Sequence, residues 1–423
     1  MVSLSLNLNV EQGRVRETAR PKLGLFELPH FAAGLENPEY FNKIVRPALC
    51  KKCNNDPEEV SNLIIRTLHE RERMLSLLMG SFSVFTPPEN LMINVNGIRL
   101  SPFGTGVGLD TDGDALAMFG KMFGFQETGT IHVPRIEVDK RFFNMYNAQG
   151  FPSKGLDHFL ANIKKYRENG GSGVVYANIV GLPGSEPQGV SRAMDDMERM
   201  ITSTAKFVEG FIWSPYLPTM GGLEQLRTQK VFNETAKLMR GLAPDKLRLV
   251  RMGEYEVQDT TGVLRLVGSF LDGEGHGVVT ADIHYPGEAP AMKTDMLKTP
   301  VELPERVSET LRDYERAGME GSGLTEFRHK SVVDFRKEFR DAVIIATGGM
   351  FSGKEAYAAF SSGATMVEGK TPYEFFGPGL VRVLMDEVTK GLIAAEVVDA
   401  RLEYLQRWVR NVARVRLEKG MYA

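Results

Sequence analysis

The spacing of apolar positions changes along the chain and divides it into stretches of different type. Between residues 57 and 78, Val60, Leu63, Ile64, Leu68, Leu75 and Leu78 recur near a helical period. Asp56-Pro57-Glu58-Glu59 opens that run with a capping side chain, a proline at the first helical position and acids facing the positive helix end. Asn37-Pro38-Glu39 opens an earlier helix in the same way. Residues 1–35 carry no such period and read as an N-terminal arm, and 36–90 as a helical extension. The end of the extension is strongly apolar, with Leu77-Leu78-Met79 and then Phe82, Val84 and Phe85. Packing on the main domain explains it; a cap touching lipid or a partner is the alternative.

Strict alternation takes over at residues 91–100. Leu91, Ile93 and Val95 alternate, Asn96-Gly97 supplies a two-residue turn, and Ile98 and Leu100 alternate back, which predicts a hairpin. Short apolar runs then alternate with helical stretches. Strands are predicted at 102–109, 124–130, 173–179, 209–214, 247–252, 277–281, 342–346 and 364–368. Helices between them include 112–122, 155–167, 190–207, 229–241, 353–361 and 377–388. Eight strands separated by helices predict a (β/α)8 TIM barrel over residues 91–391, not an open sheet. An insertion at about 282–330 follows the sixth strand, carries Pro286, Pro290, Pro300 and Pro304, and holds a predicted helix near 305–317. Placed after a strand's C-terminal end, it reads as an active-site loop or lid. Residues 392–423 form an added C-terminal helix, with Val398, Leu402, Leu405, Val409 and Val412 at spacings that suit helix-on-helix packing. Its arginines form a solvated face or a subunit contact, and a homo-oligomer is the expectation carried forward.

Composition narrows the function classes. The 423 residues carry 51 Lys+Arg against 54 Asp+Glu, a net charge of −3 that argues against a nucleic-acid-coating protein. Two cysteines, Cys50 and Cys53, exclude a disulfide framework and a four-cysteine metal or iron–sulfur site within the chain, and no metal is predicted. The N-terminus lacks a signal-peptide pattern and no run of ~18 apolar residues occurs, so a cytoplasmic protein is expected, with membrane association through the extension as the variant. The 43 glycines cluster after short apolar runs, where backbone turns tightly or approaches a ligand.

Two of those clusters carry chemistry. Val343–Ala346 is followed by Thr347-Gly348-Gly349 and a helix from about Gly353; Gly363-Ala364 and Gly369-Lys370-Thr371 come next. A strand, a Gly-Gly turn and a helix start place backbone N–H groups where a phosphate is favoured, and loops after the last two strands of such barrels commonly do this. Two ordinary tight turns are the alternative. In Phe103-Gly104-Thr105-Gly106-Val107-Gly108-Leu109-Asp110, small residues allow a flat ligand to lie close over the first strand or simply ease barrel packing.

The order of these motifs resembles the dihydroorotate dehydrogenase family, particularly its quinone-using class with an N-terminal helical extension. The resemblance runs from about Asn37 to Gly391 and takes in Ser101 to Gly113, Met122-Phe123-Gly124-Phe125-Gln126-Glu127-Thr128-Gly129-Thr130, Gly150 to Leu156, Ser322-Gly323-Leu324, Gly348-Gly349 and Gly363 to Val367. It implies a barrel holding FMN at the C-terminal mouth of the strands. By the resemblance, Gly106, Val107, Thr130 and Asn178 contact the flavin, and Arg251 stands where the family has a lysine beside it. Gly323, Gly348, Gly349, Lys370 and Thr371 would hold the phosphate.

The substrate side departs from the family pattern. Asp110-Thr111 replaces Asp-Lys, Pro152 replaces an asparagine, and Asp282-Ile283 replaces Asn-Thr. The fourth-strand loop, Trp213-Ser214-Pro215-Tyr216-Leu217-Pro218-Thr219, aligns on Pro218 to put Leu217 at the family's base, or on Ser214-Pro215 with an insertion. Candidate acids or bases are Tyr216, Ser214, Asp282 and His284. An aromatic wall is the plain reading of Tyr216, and an ordinary hydrogen-bonding residue that of His284. A site stripped of hydrogen-bonding groups for one substrate implies another. The expectation is therefore an FMN-dependent oxidoreductase acting on a CH–CH group of a small molecule that is not dihydroorotate, with an unspecified electron acceptor. A non-catalytic FMN- or phosphate-binding barrel subunit, and a true dihydroorotate dehydrogenase with a rebuilt site, are the alternatives.

Overall fold

A computed structural model describes residues 21–53, 57–79, 87–133, 142–143, 146–147, 153–183, 188–216, 223–252, 260–280, 318–319 and 325–396. Eight parallel strands close into a barrel: β1 Phe103–Asp110, β2 Phe125–Ile131, β3 Val174–Ile179, β4 Gly210–Trp213, β5 Leu247–Arg251, β6 Gly277–Val279, β7 Val343–Ala346 and β8 Met366–Gly369. They pair in sequence order and β8 returns to β1. Each lies within a residue or two of its predicted span. This is the (β/α)8 barrel that the strand count predicts.

Side chains alternate across the pleat, so the interior is built in layers. Phe125, Tyr176, Ile212, Leu249, Val279, Ile345 and Met366 form one apolar layer. Val95 and Leu100 of the hairpin join it, and so seal the N-terminal end of the barrel. The hairpin itself matches its prediction, with Ile93–Val95 against Ile98–Leu100 and positive φ at Asn96 (51°) and Gly97 (78°). Gly104 is required here, because a Cβ would lie 2.3 Å from the Phe125 ring. With the N-terminal end plugged, only the C-terminal mouth remains for chemistry.

Helices wrap the outside through apolar faces. Gln229–Leu242 shows why one starts and where it points: the Thr228 side chain accepts from Val231 N, and Val231, Phe232, Thr235, Ala236 and Met239 are buried at helical spacing. Trp213 faces outward from β4 and packs its ring 4.8 Å from Phe232 and 6.3 Å from Phe270. Burial of each such side chain is worth roughly 1.5–3 kcal/mol.

The extension differs from its prediction at the start. The arm expected to be irregular contains a helix, Leu28–Glu36, whose Leu28, Phe31 and Leu35 are buried. Proline at its second position and the apolar spacing 28, 31, 32, 35 explain it. Asn37 then caps Tyr40 N at 3.0 Å as predicted, and Pro57–Glu70 and Glu72–Leu78 follow, separated at Arg71. Phe26 (94% exposed) and Leu77 (83%) leave apolar surface open on this extension. Among the described residues no helix is long and apolar enough to cross a membrane.

Of the insertion, only Gly318-Met319 and the residues from 325 are described. Gly318-Met319 pairs with Tyr146-Asn147, which pairs with Phe142-Phe143, so the insertion meets the segment that follows β2. The predicted helix near 305–317 lies outside the described residues. The last helix, Leu380–Glu396, runs unbroken through the expected boundary at 391, and the apolar repeat from Val398 onward lies outside the described residues.

Candidate active site at the barrel mouth

One step above the apolar layer, the same strands turn polar. Two residues after Phe125 on β2 comes Glu127; two after Tyr176 on β3 comes Asn178; two after Leu249 on β5 comes Arg251; two after Met366 on β8 comes Glu368. The pleat therefore points all four into the barrel. Arg251 pairs with both carboxylates, bonding Glu127 and lying 2.6 Å from Glu368 Oε1. Asn178 Nδ2 donates to Glu127 Oε1 at 2.5 Å. All four side chains are buried, none more than 1% exposed. Two carboxyls thus share one guanidinium. Burial raises the Glu368 carboxyl well above the usual carboxylate range, Glu127 beside it raises it further, and Arg251 only partly opposes this. Glu368 thus favours its protonated form.

Small residues vacate the space beside this layer. A Cβ on Gly106 would sit 3.6 Å from Glu368 Oε1 and 3.4 Å from the Gly369 carbonyl carbon. The Lys370 side chain runs toward β1, with Nζ 3.6 Å from where a Gly108 Cβ would be. Val107 within β1, Thr130 near the end of β2 and Thr371 just after β8 are buried. Ser214 continues the inward parity of β4, and among the described residues its buried Oγ has no partner; neither have Asn178 Oδ1 and Glu368 Oε2. Gly106, Asn178, Arg251 and Ser214, all singled out in the sequence, thus lie at one mouth. Glu127 and Glu368 are the members not singled out there. Their inward parity with Phe125 and Met366 was the available signal.

Tyr216, in the loop after β4, is 8% exposed, and the Arg227 guanidinium lies 4.4 Å over its ring. His284, Asp282 and Gly323 lie outside the described residues.

The turn after β7 corrects one expectation. The N-terminus of helix Gly353–Ser361 was read as open to a phosphate, but carboxylates already occupy it. Glu355 Oε2 accepts from Phe351 N (2.7 Å) and Ser352 N (2.8 Å) in a capping box, and Glu387 Oε2 accepts from Gly353 N (2.6 Å). The Gly348 and Gly349 amides, at φ 90° and 65°, make no hydrogen bond to any described residue. The turn packs against the start of another helix, Thr325–Glu338: a Gly349 Cβ would meet Thr325 Oγ1 at 2.3 Å.

A second charged cluster closes the loop after β1. Asp110 accepts from Asp114 N (2.8 Å) and Ala115 N (2.9 Å), and burial pushes its carboxyl up to about 7. Asp112 accepts from Lys154 N at 2.8 Å, and Lys154 Nζ lies 2.8 Å from Asp114. Asp112, Asp114 and His158 converge, with the Lys154 ammonium as the cation among them. The Gly150 to Leu156 motif thus has a described function at its C-terminal half: it ties that loop to β1.

Comparison with known proteins agrees with this geometry. A family model described as dihydroorotate dehydrogenase matches residues 298–392. A dihydroorotate dehydrogenase (quinone) of Cupriavidus pinatubonensis is 30% identical over 361 residues, spanning 80% of this chain and 96% of that protein. The chain belongs to the dihydroorotate dehydrogenase family. A second member, the dihydroorotate dehydrogenase (quinone) of Shewanella amazonensis, is 26% identical and covers 77% of this chain and 94% of its own length. Among solved structures, the DHODH of Eimeria tenella in complex with ferulenol superposes with a TM-score of 0.65 at 19% identity, over 81% of this chain and 93% of that one. That likeness confirms the barrel fold. Family membership makes the chain a dihydroorotate-dehydrogenase-like oxidoreductase.

Proposed function

We propose that this family member binds FMN at the barrel mouth and moves a hydride between a substrate C–H and flavin N5, with a substrate other than dihydroorotate. The observation that carries the reading is the polar layer above a sealed apolar floor. Its orphaned atoms fit the group. Asn178 Oδ1 can accept from a ring N–H, while Ser214 Oγ and a protonated Glu368 can donate to ring carbonyls. Gly106 leaves room for a flat ring over β1. Bound there, FMN supplies a two-electron acceptor. Arg251, fixed by two carboxyls, orients the polar edge and tempers its own charge. Ser214 is the candidate to handle the proton released with the hydride, and Tyr216 walls the site.

The changed substrate follows from chemistry missing at Thr111 and Pro152, where neither side chain replaces a lysine or an amide. The proposed electron acceptor is a quinone, by likeness to relatives named for one, approached from the extension whose Phe26 and Leu77 are open. Peripheral membrane contact through that extension belongs to the same proposal. The names of those relatives also favour a second reading, oxidation of dihydroorotate by a rebuilt site.

Anaerobic mixing of the FMN-loaded protein with dihydroorotate decides between them. No bleaching of the flavin band, with full reoxidation of photoreduced protein by a short-chain quinone, supports the proposal. Bleaching by dihydroorotate at catalytic speed establishes the second reading. Reduced flavin that no quinone reoxidises removes the proposed acceptor.

A further inference from the structure

Arg328 is a buried cation that nothing above uses. It lies one turn into helix Thr325–Glu338 and is 2% exposed. Its Nη1 donates to the Gly348 carbonyl at 2.6 Å, and Met350 Sδ lies 3.9 Å away. Among the described residues its buried Nε has no partner and no carboxylate forms an ion pair with it. A buried guanidinium without a counter-ion is costly, and capping one carbonyl does not require a full charge. Burial pushes it down to about 10, against the weaker pull of Glu355. A dianion nearby would relieve that desolvation.

Its position says where the dianion goes. The Gly348 carbonyl it holds belongs to the turn whose Gly348 and Gly349 amides meet no described acceptor, and Thr325 at the positive end of the same helix abuts Gly349. The other nearby helix end is already filled by Glu355 and Glu387. We propose that Arg328 is the counter-charge and positioning residue for the ligand's phosphate, fixing the Gly348–Gly349 turn from behind and supplying its positive field. This rests on the flavin reading above and names the source of phosphate affinity within it.

The test compares FMN with riboflavin, which lacks the phosphate, by flavin fluorescence quenching on the full chain stripped of flavin. Arg328→Gln is expected to weaken FMN about 10- to 100-fold, the range of a charge-assisted contact, while riboflavin binding stays within about twofold. Arg328→Lys keeps the charge with a poorer fork, and should recover most of the FMN affinity. If Arg328→Gln does not melt cooperatively, the Lys variant carries the test: FMN weakened a few-fold, riboflavin unchanged. Equal weakening of both ligands, or unchanged FMN affinity, overturns the proposal. Wild-type protein that binds FMN no tighter than riboflavin overturns it too, and leaves the flavin reading standing. Wild-type protein that binds neither ligand removes both.

Discussion

Two layers of the barrel interior, neighbours along the same strands, are built from opposite chemistry. In the lower one, Phe125, Tyr176, Ile212, Leu249, Val279, Ile345 and Met366 pack against the hairpin's Val95 and Leu100. In the upper one, Glu127, Asn178, Ser214, Arg251 and Glu368 replace them at the next inward positions. Both layers are sealed from water by the same backbone, so the difference lies in the side chains. The lower layer gains from every contact. The upper layer buries three ionisable groups and leaves atoms of Asn178, Ser214 and Glu368 without partners among the described residues. A fold selected for stability alone has little use for that, since replacing a buried ion cluster by apolar residues is often neutral or stabilising. The upper layer is therefore the one to which the proposed function assigns the ligand.

That contrast can be broken by substitution. Arg251→Gln should have the largest effect. It leaves Glu127 without its cation, at a cost of about 3–5 kcal/mol in urea unfolding, and it should also abolish tight FMN binding. A loss under about 1 kcal/mol with FMN still bound would contradict the ionic role given to the cluster. Phe125→Leu in the lower layer should cost about 1–2 kcal/mol through lost packing, with the FMN dissociation constant changed less than about threefold. A selective loss of flavin there would mean that the two layers are not separate in function.

Glu368→Gln should have the smallest effect at neutral pH, within about 1 kcal/mol, because the amide mimics the protonated acid. Its signature is in the pH dependence. A carboxyl whose folded pKa is raised binds more protons in the native state than in the unfolded one. Its contribution is full below the unfolded value near 4 and is lost as pH rises through the folded one. Glu368 and Asp110, the latter at about 7, therefore both make the wild type lose stability as pH rises from about 4 through neutrality. Glu368→Gln should shrink that loss, with Asp110 and the half-buried Asp196, also raised by burial, contributing to the remainder. An unchanged difference between unfolding at pH 5 and pH 8 would show that Glu368 is already ionised.

The same contrast explains what the sequence made legible. The apolar layer announced itself, because Phe125, Tyr176, Leu249 and Ile345 sit in short β-branched and aromatic runs that punctuation by glycine bounds. All eight strands follow from that. Asn178 and Arg251 were reachable through motif order. Glu127 and Glu368 lie inside quoted strands, yet a charge in a strand reads as an outward position until its parity with Phe125 or Met366 is counted. Arg328 could not be seen at all: its meaning depends on a turn more than a dozen residues away, whose Gly348 carbonyl it holds. Helix Leu28–Glu36 is legible in the spacing of Leu28, Phe31, Ala32 and Leu35, but the run is short and the prolines and glycines around it read as irregular chain. The open helix end at Gly353 was misread because Glu387, on a distant helix, fills it.

The visible spectrum of the purified full-length protein, with mass spectrometry of whatever it releases on denaturation, tests the central claim most directly. The account predicts a yellow protein with a flavin band, releasing FMN at about one equivalent per chain. A colourless protein that stays colourless with added FMN would contradict it.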